Sequence, residues 1–365
     1  MEIIRINLQL FADAGTLVNT TGGYVNAYTG ANEAFSGANT LEPTLKTFYD
    51  TELLENYRVT AVYAQFAKKQ NLPAHRGKTV EWRKWNTFKR AEALQEGVIP
   101  TGQKFGESFI TGSVGQFGTY TSISDRLELH AYDPIILGAT EEMGAAATAT
   151  IENLIVRGLL TGTNVLYCDN IDLATGEVKS TPTAANAMGA SDANGWAILS
   201  PDMINKAATT MRKNKVPTIN GRYYAVVHPS VAFNLRKHSD WMEAHKYAAP
   251  EEIFNGEIGE LHGVRFVESA DAPVLGADYA NKEGTVSYAT FFLGKDAFGI
   301  IDPAGGGMEM IVHDKSEIGG PLDQRSTVGF KLMTNGATIL YPERMLRVMS
   351  TSSFSAVDTD NIFDE

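Results

Sequence analysis

The chain has 365 residues, 43% hydrophobic and 20% charged, which suits about two folded domains with a real core and does not suit a disordered polymer. No apolar run reaches the ~18 residues of a membrane span, and one cysteine, Cys168, excludes an intrachain disulfide or a Cys-based zinc site. Lys and Arg number 31 against 43 Asp and Glu, a formal charge of −12, which argues against the whole chain being a nucleic-acid binder but leaves room for a local basic patch.

At the start, Ile4, Ile6, Leu8 and Leu10 alternate with Arg5, Asn7 and Gln9. This is a strand period, and the polar residues break any signal-peptide core. With the lone cysteine it points to a cytosolic origin. Residues 13–40 are rich in Gly, Asn, Thr and Ala and read as an extended arm. Pro43 opens an apparent helix to about residue 71, with Leu45, Phe48, Tyr49, Leu53, Tyr57, Val62, Tyr63 and Phe66 at spacings of three and four.

From Lys78 the period becomes two. Val80, Trp82 and Lys84 alternate with Glu81, Arg83 and Trp85, and a second alternating run spans 109–123 with Gly112, Gly115 and Gly118. The two runs predict a long hairpin with a large loop at its tip, marginal in water unless something supports it. Asp133-Pro134 then predicts a helix start, with a helix of about 27 residues, ~40 Å, running to Leu160 and Gly162 as its stop. Residues 167–194 read as a surface loop or short hairpin.

Further on, 201–213 predicts an amphipathic helix, 223–227 a buried strand, 230–236 a helix, and 263–268 and 289–301 strands. Residues 325–332 and 337–340 are strand-like, with Asn335-Gly336 as a tight turn between them. Residues 347–350 predict a last strand, and the end carries Asp358, Asp360, Asp364 and Glu365.

The motifs give no chemistry. Gly77-Lys78-Thr79 lacks the leading glycine of a phosphate loop, since Leu72 holds that place and Pro73 follows. No G-x-S-x-G and no HExxH occurs, and the seven histidines read as surface or capping residues. Cys168 reads as an inert thiol. No catalytic residue, metal or cofactor is expected. Charge is more telling: residues 76–106 hold seven cations against three acids, +4, while 125–177 hold nine acids against two arginines, −7. A basic arm and an acidic spine in one chain predict complementary self-association.

The order of parts, with several local runs, resembles the major capsid proteins of tailed bacteriophages, which have the Hong Kong 97-type shell fold. Similar runs are Lys78-Thr79-Val80-Glu81-Trp82-Arg83-Lys84-Trp85-Asn86, Glu96-Gly97-Val98 with Pro100, Ser122-Ile123-Ser124-Asp125, Gly162-Thr163-Asn164-Val165 and His228-Pro229. So are Glu243-Ala244-His245-Lys246-Tyr247, Ile253-Phe254-Asn255-Gly256-Glu257-Ile258-Gly259, Leu261-His262-Gly263-Val264-Arg265-Phe266-Val267-Glu268 and Pro342-Glu343-Arg344-Met345. The likeness covers about 43–350 and is most specific over 255–268.

The resemblance implies an α+β chain with an N-terminal arm (1–42), a helical segment of a peripheral domain (43–73), an extended β-hairpin loop (74–124), and a spine helix with more of the peripheral domain (125–194). It further implies an α/β axial domain (195–320) and closing peripheral strands with an acidic tail (321–365). It implies hexamers and pentamers closing into an icosahedral head around double-stranded DNA that is enclosed without sequence-specific binding. The expected partners are further copies of the chain, a separate scaffolding protein, a portal protein and a decoration protein, with no membrane. The expected place is the virion, assembled in the bacterial host cytoplasm.

The expected inter-subunit contacts are Arg83, Lys84, Trp85, Lys89, Arg90 and Lys104 on the loop, Glu141 and Glu142 on the spine, and Ile4, Ile6 and Leu8 on the arm. Some relatives crosslink a loop lysine to a neighbour's asparagine; Lys89 and Lys104 would be the candidates, with no motif for it here. The scaffold is expected to be separate because 1–42 show no apolar heptad. The alternative within the same fold is an encapsulin-type nanocompartment storing an enzyme.

Overall fold

A computed structural model describes residues 61–354, apart from 74, 76, 92, 94–95, 98, 100–101, 131–134, 239–240, 242–258, 277–285, 304–307 and 319–322, together with 24–25 and 32–33. Residues 57–365 form one unit. In the other, 1–56, the described pieces Tyr24–Val25 and Asn32–Glu33 pair antiparallel. The expected strand at Ile4, Ile6 and Leu8, the start of the 43–71 helix, the Asp133-Pro134 cap and the acidic end lie outside the described residues.

At the centre of the larger unit is a seven-stranded sheet. Its path runs Gly259–Leu261, Val264–Glu268, Tyr223–Val227, Ser287–Leu293, Met345–Ser350 and Val165–Tyr167, with Val274–Leu275 also paired to Ser287–Leu293. Ser287–Leu293 is buried at every position, so its continuous apolar run is that of a strand covered on both faces. Alternate residues divide the core. Ala225, Val227, Phe292, Leu346 and Val348 pack with helices Pro201–Lys213 and Pro229–Lys237. Val226, Phe291, Leu293 and Met345 pack with Ile155, Val156 and Leu159 of the helix Ile135–Leu160. Two helices therefore cover one face of the sheet and the spine helix covers the other.

Helix Pro201–Lys213 forms as its sequence demands: the Ser200 hydroxyl accepts from the Met203 N–H, Pro201 occupies the first turn, and Met203, Ile204, Ala207, Ala208 and Met211 make one buried stripe. The spine helix ends at Leu160, as predicted. Residues 167–194 form most of a small four-stranded sheet, with strands Asn170–Ile171, Val178–Ser180, Ala190–Ser191 and Gly195–Trp196.

Four expectations are corrected. The described end of the 43–71 helix is instead a 3-10 turn, Tyr63–Gln65, followed by the strand Lys68–Leu72, which pairs parallel with Phe298–Pro303; tertiary pairing overrides a helical period there. The 109–123 strand breaks at Val114. Glu107–Ser113 pairs with Thr79–Trp85, while Gly115–Ser124 pairs with Arg325–Thr334. The 289–301 strand is two, Ser287–Leu293 and Phe298–Pro303, separated by a turn with Asp296 at φ 55°. Asn335-Gly336 does not join a hairpin, because Thr338–Ile339 pairs with Phe298–Pro303. The last strand, Met345–Ser350, lies inside the central sheet, between Ser287–Leu293 and Val165–Tyr167, and so shares a sheet with strands of 195–320.

The Asn335 loop is pressed onto the spine. The Asn335 carboxamide accepts from the Ile301 N–H at 2.8 Å and donates to the Thr338 hydroxyl at 3.0 Å. Gly336 has φ +67°, and a Cβ there would meet the Leu154 carbonyl oxygen at 2.7 Å. From the helix side, a Cβ on Gly158 would lie 2.5 Å from the Ala337 carbonyl oxygen.

Two buried charges fix the spine. Glu152, 2% exposed, accepts from the Tyr63 N–H at 3.0 Å and the Ala64 N–H at 3.3 Å, so it caps a turn that has no side-chain cap of its own. Arg347, 7% exposed, donates to the Leu160 carbonyl oxygen at 2.6 Å, placing a cation at the negative end of the helix.

Gly158→Ala tests the close approach. Alanine gains about 1 kcal/mol of helix propensity, but overpacking against a backbone oxygen that cannot step aside costs about 3 kcal/mol. The net expected loss is about 2 kcal/mol in urea unfolding.

Burial pushes the Glu152 carboxyl above its ordinary value, against the opposing pull of the backbone N–H donors; Asp271, itself raised by burial, adds to the rise. The folded protein then holds protons that the unfolded chain releases. The associated stability is complete below the ordinary carboxyl values and is lost as pH rises through the higher folded values. The expected result is a fall in urea midpoint as pH rises above about 4 that is flattened in Glu152→Gln/Asp271→Asn. Glu152→Gln alone is expected to cost about 1–3 kcal/mol, because an amide nitrogen replaces one acceptor.

Candidate assembly surfaces

The arm is the antiparallel pair Thr79–Trp85 and Glu107–Ser113. Its period of two gives it unlike faces. Val80, Trp82 and Lys84 on one strand, with Ile110 and Gly112 opposite, are half-buried or buried. Trp82 is the wedge at the base: Cβ atoms on Gly112 and Gly299 would meet its ring at 2.8 and 2.9 Å. The two glycines thus form a slot for the indole between the arm and the body. The Lys84 ammonium lies 5.1 Å above the Tyr341 ring, and the Arg344 guanidinium lies 3.7 Å from the same ring.

The opposite face is solvent-exposed and aromatic. Trp85, 64% exposed, stacks on Phe105 at 4.3 Å, and Phe88 stacks on Phe105 at 5.3 Å. Phe109 stands on the same face opposite Arg83, and Ile99, toward the tip, is 94% exposed. The Gln103 side chain closes the strand ends by accepting from the Lys89 N–H at 2.7 Å and donating to the Lys89 carbonyl at 3.2 Å.

Arg83, Lys84 and Trp85 lie on the strand Thr79–Trp85, and Lys89, Arg90 and Lys104 lie in the chain between the two strands. They are not equivalent. Arg83 pairs with Glu81 at 2.7 Å, and that hydrogen bond raises its already high pKa. Lys84 is held by Tyr341, while the side chains of Lys89, Arg90 and Lys104 are exposed. Glu141 and Glu142 are exposed on a different element, the first half of the spine helix. Ile4, Ile6 and Leu8 lie outside the described residues. Phe88, Phe105 and Phe109 were missed by sequence reasoning; the usable signal was the alternation of Phe109 with Gly112 and Ile110, whereas Phe88 and Phe105 sit 17 residues apart in polar sequence.

Cys168 is buried, and its thiol is pushed up by that burial. His228 caps a helix, its Nδ1 accepting from the Ser230 N–H at 3.2 Å. Among the described residues no cluster of three His, Cys, Asp or Glu could hold a metal ion, and no helix is long and apolar enough to cross a membrane.

A family model described as "Phage capsid protein" matches residues 109–347, well over half of the chain. No curated protein matches the chain by sequence. Among solved structures, the capsid of the cyanophage P-SCSP1u is similar at 15% identity and a TM-score of 0.61, over 87% of this chain and 96% of that one. The cyanophage Pam1 capsid gives 13% and 0.60, over 89% and 99%. The capsid of Ralstonia phage GP4 gives 14% and 0.59, over 86% and 96%. At such identities the likeness is one of fold, and that fold is the α+β, Hong Kong 97-type architecture expected from the sequence. The encapsulin alternative is not favoured, and the chain belongs to the phage capsid protein family.

Proposed function

We propose that copies of this major capsid protein form hexamers and pentamers that close into the icosahedral head of a tailed phage around double-stranded DNA, each copy laying its arm on a neighbour. One observation carries the arm contact: a two-stranded hairpin, marginal alone, turns the stack of Trp85, Phe105 and Phe88 to solvent. Covering each ring contributes about 1.5–3 kcal/mol, enough to make many weak contacts add up to a closed shell. The neighbour's acidic spine surface, with Glu141 and Glu142, suits the arm's cations. Arg83, Lys84, Trp85, Lys89, Arg90 and Lys104 form one side of the contact, with Ile4, Ile6 and Leu8 adding a strand to a neighbour's sheet edge.

In this reading the arm hairpin is the extended loop. The spine helix and the sheet of Met308–His313, Arg325–Thr334 and Gly115–Ser124 make the peripheral domain. The seven-stranded sheet with its two covering helices makes the axial domain. No step of assembly calls for a catalytic residue. A separate scaffold, a portal and a decoration protein complete the head, which is built in the host cytoplasm.

Two tests follow. Arg83→Glu/Lys89→Glu/Arg90→Glu should leave the folded subunit unchanged by circular dichroism and abolish closed shells in electron micrographs at low salt. Partial recovery is expected near 1 M salt, where the Debye length is about 3 Å; shells of wild-type yield at low salt would refute the pairing. Expressed without other phage proteins, the chain should give sheets, tubes or mis-sized shells, and uniform heads would remove the need for a scaffold.

A further inference from the structure

Residues 201–238 carry seven cations against one acid, Asp202, a net of +6 in a chain of −12. All seven side chains are exposed. Arg222 and Arg236 are matched by Glu260 at 2.7 Å and Glu268 at 2.6 Å. Arg212 is held by a neutral acceptor, the His262 carbonyl oxygen, so its charge is uncompensated. Among the described residues, Lys206, Lys213, Lys215 and Lys237 have no ion-pair partner.

The fold puts five of these charges, Lys206, Arg212, Lys213, Arg236 and Lys237, in one layer, with Lys215 two residues past the end of the first helix. Helices Pro201–Lys213 and Pro229–Lys237 bury their apolar stripes in the same core cluster, on the side of the central sheet facing away from the spine helix. Their outward faces therefore share a side. Lys206 and Lys213 are two turns apart on one stripe, about 10 Å along the axis. The opposite layer, the spine, exposes Glu141 and Glu142.

Flexible lysines on an open helical surface suit phosphate oxygens, which position a duplex without reading its bases. On a chain of net charge −12, a local cationic face is where a polyanion is attracted. Resting on the shell reading, we propose that the helical layer formed by Pro201–Lys213 and Pro229–Lys237 is the face turned to the packaged genome and contacts the phosphate backbone of double-stranded DNA.

The test is fluorescence anisotropy of the unassembled full chain with a labelled random-sequence duplex, from about 50 to about 200 mM salt. Four lysine contacts give a log–log salt slope of about −3.6. Lys206→Gln/Lys213→Gln/Lys215→Gln/Lys237→Gln should weaken binding at least about tenfold at the lowest salt and flatten the slope by about 3.6. It should do so with an unchanged urea midpoint. The arm variant Arg83→Glu/Lys89→Glu/Arg90→Glu should keep the wild-type slope.

Equal binding by wild type and the four-lysine variant overturns the proposal, as does binding lost in the arm variant alone. Binding that appears only after residues 356–365 are removed also overturns it, by assigning the face to the acidic segment with Asp358, Asp360, Asp364 and Glu365. Shell formation is scored separately by microscopy on the wild-type chain. Intact DNA binding with no assembled product of any kind, neither sheets, tubes nor shells, sinks the assembly reading and leaves the layer standing.

Discussion

Two buried side chains of opposite charge hold the spine helix, and neither is paired with the other. Glu152 meets the N–H groups that open the Tyr63–Gln65 turn, and Arg347 meets the carbonyl that closes the helix at Leu160. A buried charge without a partner is costly. Here each partner is a backbone group that a helix end leaves unsatisfied in any case. One contact thus serves both the buried charge and the bare end, although the Arg347 Nε is itself buried without a hydrogen-bond partner among the described residues. Because Glu152 reaches 89 residues back to Tyr63 and Arg347 reaches 187 residues back to Leu160, these two contacts join the entry of the unit, its spine and the middle of its central sheet.

Around that spine the molecule separates unlike surfaces by side. The aromatic face of the arm, the acidic face of the spine and the cationic face of the two covering helices sit on different elements, each made unlike its reverse by simple periodicity. A strand period of two gives the arm a wedge face at Trp82 and a sticky face at Trp85. A helix period of 3.6 gives Pro201–Lys213 a buried stripe of Met and Ala and an outward row with Lys206 and Lys213.

Much of this was legible in the sequence where local signals were complete. Helix Pro201–Lys213 has a Ser cap, a first-turn proline and an unbroken amphipathic stripe, and its ends fall where the residues say. Tyr223–Val227 is a short apolar run stopped by His228-Pro229. The missed features depend on distant partners. Lys-Lys-Gln-Asn-Leu has no strand character of its own; it is a strand because Phe298–Pro303, more than 200 residues on, offers an edge. Asn335-Gly336 has the residues of a hairpin turn but spends its left-handed glycine on approaching Leu154. The cations of 201–238 were hidden because each reads, one at a time, as the solvated side of a core helix; only the placement of two helices on one face of the sheet makes them a layer.

The break at Val114 has a mechanical meaning. One continuous run of chain serves the arm as Glu107–Ser113 and the body as Gly115–Ser124, with a single residue between the two ladders. A pull on the arm along the chain therefore enters a ten-residue ladder lengthwise, where its register pairs with Arg325–Thr334 share the load instead of opening one after another from an end. The strand that receives the load packs through Phe330 and Leu332 against Ala147 of the spine. A container stretched by its contents would thus pass tension from one subunit's arm into its own backbone, through hydrogen bonds loaded in parallel.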